Sequence, residues 1–364
     1  MTDGKPIQLA FVGITHPHSS GRYRSVAALS NVSIVGAADP NESALQAFCA
    51  EVGAVPRSSA DILADSDIDG VLIHSASDQM AQLAVAAIAA GKHVLVEKPG
   101  GASLADVRSL ADAEASADLA VRVGYNFHFS PAVDKAVVQL KTGRIGTVSL
   151  IRGHGACSRQ EHLSAHLNQP ADMSGGLWVI GVHTLHLMVE LLGRPDAVRA
   201  SIEKIASLST RESREDVASL TLLYPDKMAT FDFTVHEDCE WFESSEVTLY
   251  GTTGQLTMGI LPGRVATLRV DEDPTQAGWS HWHQGPFTAP WGGDESSFSE
   301  LPQVGNRYFF DQEVAEFVAA IRGEKHDGGV PASTALDVAL IVAAALRSAS
   351  HDGVRIALQD LLDN

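Results

Sequence analysis

The sequence predicts an α/β protein with an N-terminal doubly wound parallel sheet and a C-terminal α+β domain whose large open sheet is mostly antiparallel. Two observations support this fold class. Before residue 126, short apolar runs alternate with helical stretches, which is typical of parallel strands covered by helices on both faces. After residue 140, strand-like stretches follow one another mostly without helices, which indicates an antiparallel sheet.

The N-terminal strands are predicted from their apolar composition and the helices from their end signals. Pro40-Asn41 precedes one predicted helix, and Gly91 follows another. Since the carboxyl ends of parallel strands meet at one edge, we expect the ligand to bind there. The predicted strands are 7–12, 32–37, 70–74, 93–96 and 120–124, and the predicted domains are 1–126 for the cofactor and 127–364 for substrate and oligomer contacts, with the final helix able to pack back on the first domain.

In the C-terminal part, period-two patterns predict strands, whereas longer apolar stretches predict helices. Residues 271–306 are rich in Gly, Pro, Trp and Ser, and we predict a long loop there. The predicted strands are 147–153, 219–224, 228–235, 246–250 and 265–270, and the predicted helices are 177–192, 310–322 and 331–348.

Composition argues against several classes of partner. The 364 residues carry a formal net charge of −19, which disfavours nucleic acid and anionic membranes. The three cysteines are widely spaced and odd in number, so neither a disulfide framework nor a paired-cysteine metal site is indicated. The first residues do not resemble a signal peptide, and the longest apolar run, 338–346, is short for a membrane span. We therefore expect a cytoplasmic protein.

The turn after the first predicted strand reads Gly13-Ile-Thr-His-Pro-His18. A dinucleotide site needs a tight turn and close backbone approach to the pyrophosphate at a helix N-terminus. Gly13 meets the first requirement, whereas Thr15 and His18 stand where the second and third glycines of the usual motif would be. An ordinary strand-to-helix turn is the alternative interpretation.

Asp39 ends the second predicted strand, 26 residues after Gly13. A carboxylate there accepts hydrogen bonds from the adenosine ribose and repels a 2′-phosphate, so NAD is favoured over NADP. The alternative is that Asp39 merely starts the next helix.

The most specific signal is the run from Ala89 to Pro99, which ends in Glu97-Lys98-Pro99. It places a lysine at the carboxyl edge of the predicted sheet, where Lys98 can donate to a substrate oxygen and stabilise a developing alkoxide. We also consider a cis bond before Pro99. A solvated surface lysine is the alternative.

With these residues in place, the chain resembles the glucose–fructose oxidoreductase / inositol dehydrogenase / MocA family over nearly its whole length. Further landmarks follow in order: Gly124-Tyr-Asn126, Pro131, Gly143-Arg-Ile-Gly146, Gly175-Gly176, Gly181-Val-His183, Leu191-Leu-Gly193 and Pro331-Ala-Ser. The resemblance implies a Rossmann domain, an open sheet for substrate and oligomer contacts, and hydride transfer with a sugar, polyol or related carbonyl.

The residues and the resemblance together give a set of expected site residues. Lys98 and His183 are the expected catalytic residues, contacting the reacting oxygen. The expected cofactor contacts are Gly13, Thr15, His16, Asp39, Ser75, Glu97, Lys98 and Asn126. The expected substrate contacts are Lys98, Asn126, His128, His162, His166, Trp178, His183 and His186, although core packing explains a tryptophan equally well.

Several positions depart from the family pattern. The family helix reads Asp-x-Gly-x-His-x-x-Asp, but Val179 and His186 stand at its two Asp positions. Since a carboxylate supports the charged form of an imidazole, Val179 leaves a structural role for His183 open. Glu190 lies one turn from His186 and is a candidate to supply the carboxylate that the family pattern has at position 179. Ser75-Ala-Ser77, Met80 and His128 also replace family residues.

The sequence leaves one expected function and two alternatives. We expect an NAD-dependent oxidoreductase acting on a sugar, glycoside or cyclitol, as a homodimer or homotetramer through the C-terminal sheet. The alternatives are an enzyme that recycles tightly bound NAD, such as an epimerase, a lyase or a glycosidase-like relative, and a catalytically silent NAD-binding relative. His183 and His186 with His162 or His166 could form a metal-binding face, but the sequence lacks the usual zinc spacings, and we predict no metal.

Overall fold

The computed structural model describes residues 5–14, 16–157, 172–205, 215–237, 243–261, 263–270, 275, 277–283, 301–324 and 328–363. The chain forms two compact units, one of Met1–Asn126 with Trp291–Leu336 and one of Phe127–Pro290 with Asp337–Asn364. The division after residue 126 coincides with the predicted boundary. Residues 291–336, which the prediction assigned to the second domain, group with the first.

The first unit contains a six-stranded parallel sheet in the order β3-β2-β1-β4-β5-β6. This order is that of a Rossmann domain and confirms the predicted fold class. Its central strands are buried because helices lie between successive strands in the chain. The strands are β1 (Ile7–Val12), β2 (Val32–Ala38), β3 (Val55–Pro56), β4 (Gly70–Ile73), β5 (His93–Glu97) and β6 (Val121–Gly124).

Several helices of the first unit begin at a polar side chain that acts as a cap. Asn41, Ser58 and Ser103 each accept a backbone N–H with the side chain at a helix start. The prediction missed β3 and the short helix after it, because the stretch is only a few residues long. The helices are α1 (Pro17–Ala27), α2 (Glu42–Val52), α3 (Ser59–Ala64), α4 (Ser77–Ala89) and α5 (Leu104–Ala115).

The second unit contains a nine-stranded sheet in the order β14-β13-β12-β11-β7-β10-β9-β8-β15. Its pairs are antiparallel except β7 with β10, which confirms the mostly antiparallel prediction. The strands are β7 (Val148–Cys157), β8 (Ala197–Glu203), β9 (Val217–Leu223), β10 (Met228–Thr234), β11 (Glu243–Gly251), β12 (Gly254–Gly259), β13 (Arg264–Arg269), β14 (Gly278–His283) and β15 (Ile356–Ala357).

The helices of this unit include the one that carries His183. A π-helical turn at Leu177–Gly181 runs directly into α7 (Val182–Leu192). Val179 therefore lies in a wider turn than an α-helix would give it. A 3₁₀ turn (Asn126–Phe129) precedes α6 (Pro131–Lys141), and α10 (Gln359–Leu362) ends the unit.

The predicted loop at 271–306 is wrong in two places. β14 pairs with β13 along its whole length, so that Trp282 lies opposite Val265 and Trp279 opposite Leu268. The pairing, rather than local composition, makes this Gly- and Trp-containing segment a strand. The helix predicted from residue 310 begins earlier, as α8 (Leu301–Ile321).

The apolar helix α9 (Ala332–Ala349) is long and apolar enough to cross a membrane, with a mean hydropathy of 1.5 over 18 residues. It is the one helix among the described residues that meets this test. More than half of it, 56%, is buried inside the fold. Such burial is typical of a core helix, since the core helix of a folded domain has the same composition.

Candidate functional site

The turn after β1 is shaped by Gly13. Its φ is +81°, and a Cβ there would lie 2.4 Å from the backbone N of Ser75 and 2.5 Å from the carbonyl carbon of His74. Only glycine combines this conformation with so close an approach between the turn and the end of β4. The predicted role of Gly13 in a tight turn therefore has a steric basis in this unit.

Asp39 lies beside this turn. One carboxylate oxygen accepts from the backbone N–H of Ile14 at 2.7 Å, and the other from that of Asn41 at 2.8 Å. Asp39 thus closes the turn and also starts α2, as the alternative interpretation held. A carboxylate has about four acceptor positions, so capacity for ribose hydroxyls remains.

A buried ionic network lies at the carboxyl edge of the parallel sheet. Arg22 of α1 is fully buried and bonds Glu97 through Nη1. Its Nε donates to Oε2 of Glu313 at 2.6 Å, and its Nη1 lies 3.0 Å from Nε2 of His74. Since arginine only donates, Nε2 of His74 is the acceptor there.

The protonation states follow from this arrangement. Although burial opposes it, Arg22 and His18 hold the pKa of Glu97 well below its ordinary value. Burial raises the pKa of Glu313, and the charge of Arg22 offsets part of that rise. Burial, then Arg22, lowers the pKa of His74 well below its usual range, so this ring is neutral.

Two histidines of the turn join the network. Nδ1 of His18 lies 2.7 Å from Oε1 of Glu97, and the rings of His16 and His18 meet edge to face with centroids 4.9 Å apart. His16 caps α1, its Nδ1 accepting from the backbone N–H of His18 at 3.2 Å. Burial lowers the pKa of His16 well below its ordinary value, so it acts as a neutral ring.

Lys98 follows β5 and is 5% exposed. The peptide bond between Lys98 and Pro99 is cis, as considered from the sequence. Burial lowers the pKa of the nearby His16, and the charge of Lys98 adds to that lowering. This burial shows that the interpretation of Lys98 as a solvated surface lysine is wrong. A lysine is rarely buried without a partner or a local role.

Ser75 and Asn126 are the remaining described cofactor candidates. Ser75 follows β4, and Asn126 lies beyond the end of β6 with 1% exposure. Oγ of Ser75 and Oδ1 of Asn126 are buried without a hydrogen-bond partner among the described residues. Such atoms need explanation, and a polar ligand at the strand ends supplies one. Thr15 lies outside the described residues.

The second unit gathers other predicted residues. His183 on α7 is 3% exposed and packs on Phe127, with ring centroids 4.4 Å apart. Nδ1 of His128 lies 3.0 Å from Oε2 of Glu190, and the His128 and His186 rings are 6.1 Å apart. Burial, then His128, lowers the pKa of His186 well below its ordinary value. His162 and His166 lie outside the described residues.

Trp178 does not support the predicted stacking on a sugar ring. It is 1% exposed and is among the largest fully buried side chains of the described chain. A stacking platform needs an accessible ring face, so Trp178 acts as a core residue, which is the alternative interpretation of this tryptophan.

Sequence reasoning missed Arg22 and Glu313 and gave His74 no role. The positions of Arg22 and Glu313 differ by 291, so no local pattern links them. His74 carried a usable signal, because it is a polar residue at the end of a fully buried parallel strand.

The residues of the first unit fit a dinucleotide. The tight turn at Gly13, the carboxylate of Asp39 at the end of β2, and Oγ of Ser75, which is buried with no partner in the described part of the chain, are the groups that such a cofactor engages. Gly13, Asp39 and Ser75 would hold it.

Comparison with known proteins extends this assignment. Residues 7–125 match the oxidoreductase family with an NAD-binding Rossmann fold, and residues 133–257 match the GFO/IDH/MocA C-terminal domain. Together the two matches cover about two thirds of the chain.

Individual relatives are more distant. The chain is 29% identical over 169 residues to the uncharacterized oxidoreductase YhhX of Escherichia coli (strain K12), covering 46% of this chain and 47% of that protein. It is 29% identical over 143 residues to levoglucosan dehydrogenase of Pseudarthrobacter phenanthrenivorans (strain DSM 18606 / JCM 16027 / LMG 23796 / Sphe3), covering 38% of this chain and 37% of that enzyme. These matches span less than half of either relative.

A solved structure of a levoglucosan dehydrogenase, in complex with NADH and levoglucosan, shares the fold. The TM-score is 0.78 at 19% identity, with 97% of this chain and 99% of that chain covered. With the two family matches and the strand order of both sheets, the comparisons confirm the resemblance and the expected cofactor, NAD. The chain belongs to the GFO/IDH/MocA family of NAD-binding oxidoreductases.

Proposed function

We propose that the protein is an NAD-dependent dehydrogenase or reductase acting on a CH–OH group, or the matching carbonyl, of a sugar, glycoside or cyclitol. The observation that carries the proposal is Lys98, a 5% exposed cation at the carboxyl end of β5, next to the buried ionic network of Arg22 and Glu97. A cation held there suits an oxygen that gains negative charge during reaction.

The chain's own groups divide the work. Bound NAD supplies the hydride chemistry. Lys98 donates to the reacting oxygen and stabilises charge on it, and Asp39 accepts from the ribose hydroxyls. His183, held against Phe127, handles the proton in the role that the family pattern implies. We assign the main electrostatic role to Lys98, because its side chain is buried at the carboxyl end of β5.

The substrate class is inferred from relatives. A levoglucosan dehydrogenase, a 1,5-anhydro-D-fructose reductase and inositol 2-dehydrogenase 1 match this chain at 26–29% identity, each over part of its length. All three are named after cyclic compounds that carry several hydroxyl groups. Asn126 and His128 are our candidates for contacts to substrate hydroxyls, because both offer hydrogen-bonding groups.

We further propose a cytoplasmic homodimer or homotetramer formed through the second unit's sheet. The burial pattern along β9 supports an interface on this sheet, since Ala218, Leu220 and Leu222 are buried and Ser219 is exposed. One face is thus packed and the other accessible within the chain, as a symmetric sheet interface requires. Sedimentation equilibrium tests it, and a monomer at micromolar concentration contradicts it.

The experiment for the reaction is an absorbance assay at about 340 nm, the NADH band, with NAD and NADP separately, against aldoses, cyclitols, glycosides and uronates. Turnover with NAD on one class supports the proposal. No turnover, in protein shown by calorimetry to bind NAD, contradicts it. Nicotinamide cofactor that stays bound through gel filtration would then favour internal recycling of NAD. Loss of the cofactor in the same experiment would favour a catalytically silent relative.

A further inference from the structure

A cluster of three metal-binding side chains lies in the second unit, where the sequence predicted no metal. His128, His186 and Glu190 each offer one ligand atom, and these atoms all lie within 4.8 Å of one another. His186 and Glu190 are one turn apart on α7, and His128 reaches them from the 3₁₀ turn. The sequence did not reveal the cluster because His128 precedes Glu190 by 62 positions.

The ligand set has a definite chemistry. Two imidazoles and one carboxylate bind divalent transition metals, and a His₂Glu set is one of those that hold zinc with a coordination position left open. Ligand atoms about 2.1 Å from such an ion lie ~3.5 Å apart in a tetrahedral site. Nδ1 of His128 and Oε2 of Glu190 are already 3.0 Å apart, so small side-chain adjustments complete the set.

A second group of the same type, His16, His18 and Glu97, provides a contrast. There Oε1 of Glu97 already bonds both His18 and the buried guanidinium of Arg22. Lys98 also acts on His16 electrostatically. These fixed positive charges oppose a dication, whereas the carboxylate of Glu190 bonds the imidazole of His128.

We propose that His128, His186 and Glu190 bind one divalent ion of the zinc type per chain. The remaining coordination positions are open to water or to a substrate oxygen, and His183 lies one helical turn away on α7. The site rests on its own geometry, so it stands or falls separately from the proposed dehydrogenase activity.

The test measures metal binding by the full-length protein, stripped with chelator and then loaded with Zn²⁺ or Co²⁺. We expect one ion per chain by mass spectrometry and a visible Co²⁺ spectrum of low coordination number. His128→Asn and Glu190→Gln, both at partly exposed side chains, should weaken the affinity at least about tenfold while circular dichroism confirms folding.

Two matched variants complete the design. His18→Asn removes a ligand of the contrasting group, and His154→Asn removes a histidine held between two carboxylates on the sheet. Both should keep the wild-type stoichiometry and affinity. Loss of the ion in either of them with retention in His128→Asn, equal weakening in all four variants, or no saturable binding by the wild type would each overturn the proposal.

Discussion

At the residue scale, side chains that follow parallel strands were predictable, whereas their partners were not. Glu97 and Lys98 were found because a charged pair ending a buried strand points to the ligand edge of the sheet. The guanidinium that binds Glu97 comes from α1, and Glu313 comes from the far end of the chain. Such contacts depend on tertiary packing, which local patterns do not encode.

Asp39 gives a residue-scale prediction about cofactor choice. Asp39→Asn keeps an acceptor for one backbone N–H but removes the charge that repels a 2′-phosphate. The preference for NAD over NADP, as a ratio of kcat/KM values, should shrink about tenfold, equivalent to ~1.4 kcal/mol. An unchanged ratio would show that Asp39 only closes the turn.

His154 gives a residue-scale prediction about pH. Hydrogen bonds that the His154 ring donates to Asp232 and Glu237 outweigh burial and raise the pKa of His154 to about 9. A raised folded-state pKa stabilises the fold fully below the unfolded value of about 6.5, and this contribution is lost as pH rises through about 9.

The wild type should therefore lose a few degrees of Tm between neutral and alkaline pH relative to His154→Asn. Differential scanning fluorimetry across this range measures the difference. Parallel Tm profiles for the two proteins would contradict the assignment.

At the scale of elements, alternating strands and helices identified the parallel sheet, but strand pairing decided the segments that composition missed. β14 lies in a stretch rich in loop-forming residues and becomes a strand by pairing with β13. Likewise α8 joins the first unit through Arg22 and Glu313 and through Ser25, whose Oγ bonds Asp311 at 2.6 Å. Sequence order alone assigned α8 to the other domain.

The link between α1 and α8 predicts a large stability effect. Arg22→Met leaves Glu97 and Glu313 buried without their cation and should lower the free energy of unfolding by about 3–5 kcal/mol. The matched control is Arg57→Met, whose partner Asp65 forms a pair with side chains 26% and 28% exposed, and should cost under about 1 kcal/mol. Urea unfolding compares the two, and equal losses would contradict the account.

The turn after β1 predicts a second element-scale effect. Gly13→Ala and Gly53→Ala both place a Cβ at positive φ, +81° and +73°. Among the described residues, only the first Cβ meets neighbouring backbone, since none of them lies within 4 Å of the second. Gly53→Ala should cost about 1–2 kcal/mol, and Gly13→Ala more, with loss of NAD binding. Calorimetric titration with NAD would refute the steric argument if both variants bound equally.

At the scale of the whole molecule, two sheets of different type divide the chain, and this division was predictable because parallel and antiparallel strands differ in hydrophobic pattern. The site was only partly predictable. Its strand-end residues follow from topology, whereas the burial of Trp178 and the cluster of His128 with Glu190 follow from packing. In the function we propose, this scaffold holds Lys98 beside the reacting oxygen.

The most direct test is the turnover of Lys98→Met, measured at saturating NAD on the best substrate of the wild type, with Lys141→Met at an exposed position as control. We expect kcat to fall at least about 100-fold while the Kd for NAD changes little, because Lys98 acts on the reacting oxygen. Near-normal kcat in Lys98→Met, or an equal loss in Lys141→Met, would contradict it.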